Sequence, residues 1–315
     1  MLPAKILIKN QRVAKKKTKV VGSGLLLVDK SAGFTSHDVV AKSRKALGTK
    51  KIGHAGTLDP MATGLLVLGV NSGTKLLTFI VGADKSYQAT VRLGSSTTTD
   101  DADGEVTSKA DQALLRKISK DQIENALEQF TGVIQQVPSK VSAIKVDGKR
   151  AYDLVRAGEE VELKAREVVV SRFQITSDVR HGEEFVDFDV EVNCSSGTYI
   201  RALARDIGNL LSVGGHLTSL RRTRIGNWKV DLALGIEAIN ESSSLIAMTE
   251  AASAVMPVVE IDAKAAQDLV NGKRIQVEME KPSAVVSDGR LVAVVEPVSD
   301  GLVRSLVVFP EENHG

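Results

Sequence analysis

Residues 53–64, GHAGTLDPMATG, constrain the fold of this chain more than any other stretch. Within it, three glycines and a proline surround one histidine and one aspartate. Glycine permits positive φ and close approach of another chain segment, and Pro60 biases Asp59 towards extended geometry. The pattern predicts a stiff loop, and residues 65–70 (LLVLGV) predict a buried strand directly after it. Asp59 should therefore lie at the edge of a sheet, although a plain charged turn is the simpler interpretation of an isolated Asp-Pro pair.

The composition is typical of a globular protein with about two domains. The chain has 315 residues, of which 43% are hydrophobic and 25% charged. No apolar run reaches the roughly 18 residues of a membrane-spanning helix, and residues 1–20 lack the apolar centre of a secretion signal. Cys194 is the single cysteine, which excludes an internal disulfide, disfavours a structural zinc site and suits a reducing cytosol. We therefore expect a cytoplasmic protein with no membrane association.

The net charge of +2 conceals an uneven distribution. Residues 1–24 carry seven Lys or Arg and no acid, and residues 217–230 carry four basic residues and no acid. Acidic residues gather elsewhere, as in residues 100–105, DDADGE. Such segregation suits a polyanion bound on one face, but it fits a solvated tail and a charged surface strand almost as well.

The hydrophobic pattern predicts helices mixed with runs of neighbouring strands, hence an α+β fold. We predict a disordered basic arm over 1–23, a large α+β domain over 24–256 and a small β-rich domain over 257–315. Ser36 should cap a helix that ends at Gly48, and Ser119 and Gln122 should form a capping box. Residues 132–150 should be irregular and basic, with a short helix after them near 152–157. Further strands are predicted at 24–30, 85–94, 167–177 and 184–193, and further helices at 120–130, from 198 onwards and at 262–271.

Three common chemistries do not fit the sequence. Residues 69–75, GVNSGTK, follow a strand, but a phosphate loop needs four residues between its glycines and a lysine directly after the second. No nucleotide cofactor is therefore expected. The histidines lack metal-ligand spacing, and no Gly-x-Ser-x-Gly elbow exists. What remains is Asp59, with Arg201 and Tyr87 as candidate partners from distant segments.

Several ordered motifs carry a resemblance to a known family. They are the Asp29-Lys30 pair with Gly33, the 53–64 loop, KSY at 85–87 with RLG at 92–94, CSSGTYIR at 194–201 and LRR at 220–222. In this order they resemble the bacterial tRNA pseudouridine-55 synthases, the TruB family of RNA pseudouridine synthases. The resemblance implies a pseudouridine synthase fold with a mixed, mainly antiparallel central sheet. It also implies a small C-terminal PUA-like domain that binds RNA.

The resemblance further implies a reaction and its catalytic residues. A uridine in the T arm of tRNA would become its C-glycoside isomer, with no cofactor or essential metal. Asp59 corresponds to the nucleophile, Arg201 to its counter-charge and Tyr87 to the residue that stacks on the target base. Without the resemblance, a solvated helix arginine and a structural tyrosine on a half-buried strand are the simpler interpretations of Arg201 and Tyr87.

The same resemblance assigns residues to RNA contact. Tyr199 and Leu220 match positions that contact the flipped uridine, and His54 matches a histidine that fills space vacated in the RNA loop. Lys30 would support the loop or contact phosphate. We expect the basic stretches at 140–150 and 221–229, including Arg221 and Arg222, to contact phosphates, and the protein to be a monomer. The rival interpretation is a non-catalytic RNA-binding protein or tRNA-folding chaperone, against which the intact set of Asp59, Tyr87 and Arg201 argues.

Overall fold

The computed structural model describes residues 22–139 and 163–311, together with the backbone of residues 145–146 and 149–150. The predicted arm over 1–23, apart from its last two residues, and the predicted helix near 152–157 lie outside the described residues, as do the side chains of the basic stretch at 140–150. No helix within the described ranges is long and apolar enough to cross a membrane.

The described residues form helices and strands in alternating runs. The α-helices are α1 (Ser36–Leu47), α2 (Leu77–Val81), α3 (Gln112–Leu115), α4 (Lys120–Gln129), α5 (Ile200–Leu210), α6 (Met248–Ser253) and α7 (Ala263–Val270). The strands are β1 (Gly24–Lys30), β2 (Ile52–His54), β3 (Thr63–Val70), β4 (Lys85–Leu93), β5 (Ser95–Thr97), β6 (Val106–Lys109), β7 (Gly132–Gln136), β8 (Lys145–Val146), β9 (Lys149–Arg150), β10 (Arg166–Ile175), β11 (Arg180–His181), β12 (Val186–Cys194), β13 (Gly215–Ile225), β14 (Trp228–Lys229), β15 (Leu234–Gly235), β16 (Val258–Glu260), β17 (Ile275–Gln276), β18 (Ser283–Ser287), β19 (Arg290–Pro297) and β20 (Leu302–Val308).

A mixed, mainly antiparallel sheet forms the centre of the molecule, as the resemblance implied. Its strand order is β15-β1-β3-β13-β4-β12-β10-β7. The β1–β15 and β3–β13 contacts are parallel, and the other contacts along this path are antiparallel. Helix α5 covers one face of this sheet, where Leu203 and Ile207 join the core formed by Val91, Leu93 and their neighbours. The alternation predicted for residues 85–94 is confirmed, since Tyr87, Ala89, Val91 and Leu93 are all buried.

Two local predictions were wrong. Thr35, rather than Ser36, caps α1, because its side chain accepts from Asp38 N while Asp38 accepts from Thr35 N at 2.8 Å. Residues 132–150 are not irregular throughout, because Gly132–Gln136 form β7 and pair with β10 at the edge of the sheet. Gln136 is the one buried residue of β7, so this strand lacks the alternation of buried apolar side chains that would have indicated it.

A second sheet follows the composition change at residues 256–257. Its order is β16-β18-β19-β20-β17, and α7 packs on it through Ala266 and Leu269. Ala284 and Val294 of this sheet share a core cluster with Leu25 and Leu27 of the central sheet. The C-terminal part is therefore β-rich, as predicted, and packs directly on the rest of the molecule.

Candidate active site

The backbone around Asp59 is fixed by hydrogen bonds on both sides. The Ser36 hydroxyl accepts from Leu58 N at 2.9 Å and donates to Leu58 O at 3.2 Å. After Asp59, Gly33 N donates to the carbonyl of Pro60 at 2.9 Å. The stiff loop predicted from sequence is therefore held by the start of α1 and by the turn before it. Its two ends differ from expectation, because residues 53–54 belong to β2 and residues 63–64 begin β3.

Lys30 lies beneath the same loop. Its ammonium is buried and donates to the carbonyls of Ser31 at 3.1 Å, Phe34 at 2.7 Å and Pro60 at 3.2 Å. Burial lowers the pKa of Lys30 to about 8, and the nearby Asp59 charge opposes that shift. Of the two roles expected for Lys30, this geometry supports holding the loop.

Asp59 and Arg201 form a bidentate ion pair. Arg201 Nε lies 2.9 Å from Asp59 Oδ2, and Arg201 Nη2 donates to Asp59 Oδ1 at 3.1 Å. The Arg201 side chain is 5% exposed, whereas that of Asp59 is 36% exposed. The carboxylate therefore faces open space while its counter-charge is anchored in the protein. Such fork geometry fixes orientation as well as charge.

Arg201 is itself held by a second carboxylate that the sequence reasoning missed. Its Nη1 donates to the carbonyl of Thr99 at 2.6 Å and lies 3.4 Å from Asp101 Oδ2. The Asp101 side chain is 6% exposed, so it is buried against the guanidinium. The only signal for Asp101 was the acidic run at 100–105, which we interpreted as part of the charge segregation.

A cavity of about 290 Å³ opens beside Asp59. Six of the predicted site residues line it: Asp59, Tyr87, Tyr199, Arg201, Leu220 and Arg222. Lys30, His54 and Arg221 do not line it. The cavity also contains Lys85, which we had not proposed as a site residue. Burial lowers the pKa of Lys85 to about 8, and its Nζ donates to the carbonyl of Val81 at 2.9 Å.

Two tyrosines that line the cavity, Tyr87 and Tyr199, are held in place by the surrounding fold. Tyr87 is buried on β4, and burial raises the pKa of its phenol, so the hydroxyl stays neutral at pH 7. Tyr199 precedes α5, where Gln136 Oε1 accepts from Tyr199 N at 2.8 Å and Gln136 Nε2 donates to Tyr199 O at 3.1 Å. Together with Leu220 these residues give the cavity aromatic and apolar lining, which suits a flat heterocycle.

The structure corrects the expectation that Arg222 lies on the surface, and it gives the partly exposed Arg221 an acidic partner within the protein. Arg222 is buried and donates to the carbonyls of Leu65 at 2.8 Å and Gly56 at 3.1 Å. Arg221 binds both carboxylate oxygens of Asp29, at 2.9 and 2.7 Å. The reason is topological, because β13 lies between β3 and β4 and its arginines meet neighbouring segments. Arg222 therefore ties the Asp59 loop to the sheet.

Comparison with known proteins agrees with this geometry. Residues 44–200 match the family described as "TruB family pseudouridylate synthase (N terminal domain)". Residues 201–260 match "tRNA pseudouridylate synthase B C-terminal domain", and residues 256–310 match "tRNA Pseudouridine synthase II, C terminal". The tRNA pseudouridine synthase B of Leifsonia xyli subsp. xyli is 51% identical over 299 residues, covering 93% of this chain and 98% of its own. The chain belongs to the TruB family.

Other relatives and solved structures extend the comparison. The tRNA pseudouridine synthase B of Corynebacterium diphtheriae is 49% identical, covering 91% of this chain and 97% of its own. An H/ACA ribonucleoprotein bound to a substrate RNA containing 2′-deoxyuridine matches with a TM-score of 0.67 at 23% identity, covering 92% of this chain and 86% of that one. An archaeal box H/ACA complex matches with a TM-score of 0.64 at 21% identity. These structures share the pseudouridine synthase fold with this TruB-family chain.

His54 lies outside the cavity of this TruB-family protein, at the end of β2. Its ring meets that of His37 edge to face, with centroids 5.7 Å apart and planes at 81°. Burial lowers the pKa of His54, and the charges of His37 and Arg222 lower it further. The ring is therefore mainly neutral at pH 7 and partly exposed, as a group that enters an RNA loop should be.

A substitution at Gly64 tests whether the backbone at the end of the loop is held rigidly. Its φ is +101°, and a Cβ there would lie 2.3 Å from the Arg222 carbonyl oxygen, because β3 and β13 pair at these two residues. We expect Gly64→Ala to lower the free energy of unfolding by about 3 kcal/mol or more, since backbone atoms must move. Gly33→Ala is the matched control, with φ +82° and nothing within 4 Å of the added Cβ. Gly33→Ala should lower the free energy of unfolding, measured in denaturant melts, by only about 1–2 kcal/mol. Equal losses in the two variants would show that the close contact between Gly64 and Arg222 does not constrain the loop.

Proposed function

We propose that this chain converts a uridine in the T arm of tRNA to pseudouridine, with Asp59 as the nucleophile. The bidentate Asp59–Arg201 pair at the mouth of a cavity lined by Tyr87 is the observation that carries the proposal. The relatives named tRNA pseudouridine synthase B align with this chain along nearly its whole length, which supports tRNA as the substrate. We further propose that the protein acts as a monomer, since described residues of one chain bring Asp59, Arg201 and Tyr87 to one cavity, and that it meets tRNA in the cytoplasm.

The reaction is an isomerisation that one carboxylate can drive. The N1–C1′ bond breaks, the uracil rotates, and a C5–C1′ bond forms. C5 then loses its proton, and N1 gains one, so the atoms of uridine and pseudouridine balance. A carboxylate can form a temporary bond either to the ribose C1′ or to the uracil ring, and it can leave again afterwards. Arg201 orients the carboxylate in both routes because its guanidinium contacts both carboxylate oxygens, at 2.9 and 3.1 Å.

The cavity must receive a base that has left its stack. Extruding a nucleotide costs a few kcal/mol, and stacking on an aromatic ring returns roughly 1–3 kcal/mol per base. Tyr87 is the ring placed for that contact, and Leu220 closes the cavity near it. His54 would occupy the space that the flipped base vacates in the RNA loop. Its mainly neutral ring can enter the loop without desolvating a full charge.

The phosphate contacts need a surface other than β13. Five exposed basic residues gather at the end of α1 and in the turn before β2: Lys42, Arg44, Lys45, Lys50 and Lys51. Because this turn runs directly into His54, it lies next to the proposed RNA loop. Lys42 pairs with Glu237 and Arg44 donates to the carbonyl of Ile52 at 2.8 Å. The exposed Lys45, Lys50 and Lys51 are therefore the side chains of this surface best placed to meet a phosphate backbone.

We expect charge reversal on this surface to weaken tRNA binding and not the chemistry. The triple variant Lys45→Glu, Lys50→Glu, Lys51→Glu should raise the tRNA dissociation constant at least about tenfold at low salt. It should also flatten the salt dependence of binding by about one unit per lost contact. The control is Lys109→Glu, Lys117→Glu, Lys120→Glu, three exposed lysines away from α1, of which Lys109 and Lys120 pair with Glu184 and Glu124 on the surface. Equal weakening in both triple variants would remove the α1 surface from the interface.

The proposed function is tested by mapping the product in RNA. Purified protein is incubated with a T-arm stem-loop and, separately, with an anticodon stem-loop that also contains uridines. Pseudouridine should form at one uridine of the T-arm loop and not in the anticodon arm. Formation in both RNAs, or in neither, would contradict the T-arm assignment.

A further inference from the structure

Two arginines on successive turns of α5 bind three consecutive residues of one loop. Arg201 Nη1 donates to the carbonyl of Thr99 at 2.6 Å and lies 3.4 Å from a carboxylate oxygen of Asp101. Between these two contacts, Arg205 Nη1 lies 3.3 Å from Asp100 Oδ2. Helix α5 therefore contacts each of residues 99, 100 and 101. Of its two arginines, Arg201 lines the cavity and Arg205 does not.

The Arg205 contact is built into the fold. The Arg205 and Asp100 side chains are 20% and 13% exposed. Arg205 Nε also bonds to Asp206 Oδ1 at 2.8 Å, and Nη2 donates to the carbonyl of Val137 at 2.7 Å. Asp100 has φ +59°, in the left-handed region that aspartate and asparagine enter more readily than other non-glycine residues. Burial raises the pKa of Asp100, and the Arg205 charge opposes that shift.

We propose that Arg205, acting through Asp100, is a positioning residue for the isomerisation. The proposal rests on the proposed function, because Arg205 would act by keeping the Arg201 guanidinium in position against the Asp59 carboxylate. Arg201 reaches Asp59 correctly only if Thr99 and Asp101 stay in place. The Arg205–Asp100 pair pins the residue between them in its left-handed conformation. A displacement of about 1 Å at a reacting group is enough to cost an enzyme a large factor in rate.

The test is a double-mutant cycle with chemistry and binding measured separately. Arg205→Met and Asp100→Asn should each lower the single-turnover rate on T-arm RNA about tenfold while the dissociation constant changes less than about twofold. The double variant should be no slower than the slower single variant, because both changes break one pair. Arg205→Lys keeps the charge and should restore part of the rate lost in Arg205→Met.

Arg92→Met and Asp187→Asn provide the matched control for general destabilisation. Arg92 binds Asp187 through two hydrogen bonds of 2.8 and 2.7 Å on β4 and β12, away from the cavity. These variants should lower the melting temperature and leave the single-turnover rate unchanged. The proposal is overturned if Arg205→Met keeps the wild-type rate, if the losses of the two single variants multiply, or if the Arg92 variant slows equally. Wild-type protein that makes no pseudouridine would instead overturn the proposed function, before any variant is compared.

Discussion

Asp59→Asn should form no measurable pseudouridine, a loss of at least about three orders of magnitude in single-turnover rate. The amide keeps the size of the side chain and a hydrogen-bond acceptor for Arg201, but it lacks the negative charge and cannot act as the nucleophile. Because Asp59 is partly exposed and its loop is held by backbone contacts, the fold should survive the change. The measurement is a single-turnover assay on T-arm RNA with protein in excess.

Two controls make the Asp59 result interpretable. The dissociation constant of Asp59→Asn for T-arm RNA should remain within about threefold of wild type, since the phosphate contacts are untouched. Asp38→Asn alters an exposed carboxylate that forms the capping box of α1 with the N-cap Thr35, and it should lower stability slightly with no loss of rate. A wild-type rate in Asp59→Asn would remove Asp59 from the chemistry.

Arg201→Ala should have the second largest effect. It leaves Asp59 without its counter-charge and leaves Asp101 as a buried carboxylate without a guanidinium beside it. Breaking a buried ion pair by removing one partner costs about 3–5 kcal/mol, part of which will appear as lost stability. We expect the single-turnover rate to fall at least about a hundredfold, and RNA affinity much less, because the arginine faces the protein and not the RNA.

Arg201→Lys separates charge from geometry. A lysine keeps one positive charge but cannot contact Asp59, Thr99 and Asp101 together through a planar fork. Compared with Arg201→Ala, Arg201→Lys should restore more of the lost stability than of the lost single-turnover rate. An Arg201→Ala variant that binds poorly but turns over normally once saturated would show that Arg201 binds RNA instead of supporting Asp59.

Local pattern was sufficient for much of the fold and for the centre of the site. The alternation in β4 placed Tyr87 on a buried face, and the glycines and proline of the 53–64 loop indicated a stiff turn around Asp59. The resemblance then supplied Arg201, whose contact with Asp59 spans 142 positions of sequence. Neither the hydrophobic periodicity nor the spacing of motifs in the sequence can predict a contact between residues so far apart.

The errors about charged residues share one physical cause. Arg221 and Arg222 look like a basic surface strand, yet β13 is an interior strand whose arginines bind Asp29 and the Gly56 and Leu65 carbonyls. Asp101 looked like one acid among several until the fold brought Arg201 beside it. Whether a charged residue faces solvent or a partner depends on which strands become neighbours, and sheet order is set by the whole chain.

Release of the C5 hydrogen tests the central claim most directly. The target uridine must lose the hydrogen on C5 when that carbon becomes the glycosidic atom, so RNA labelled with tritium at C5 of the T-arm uridine reports each turnover. Wild-type protein should release the label from every bound RNA, and Asp59→Asn should bind the same RNA and release none. Release by Asp59→Asn at the wild-type rate would contradict an isomerisation driven by the Asp59 carboxylate.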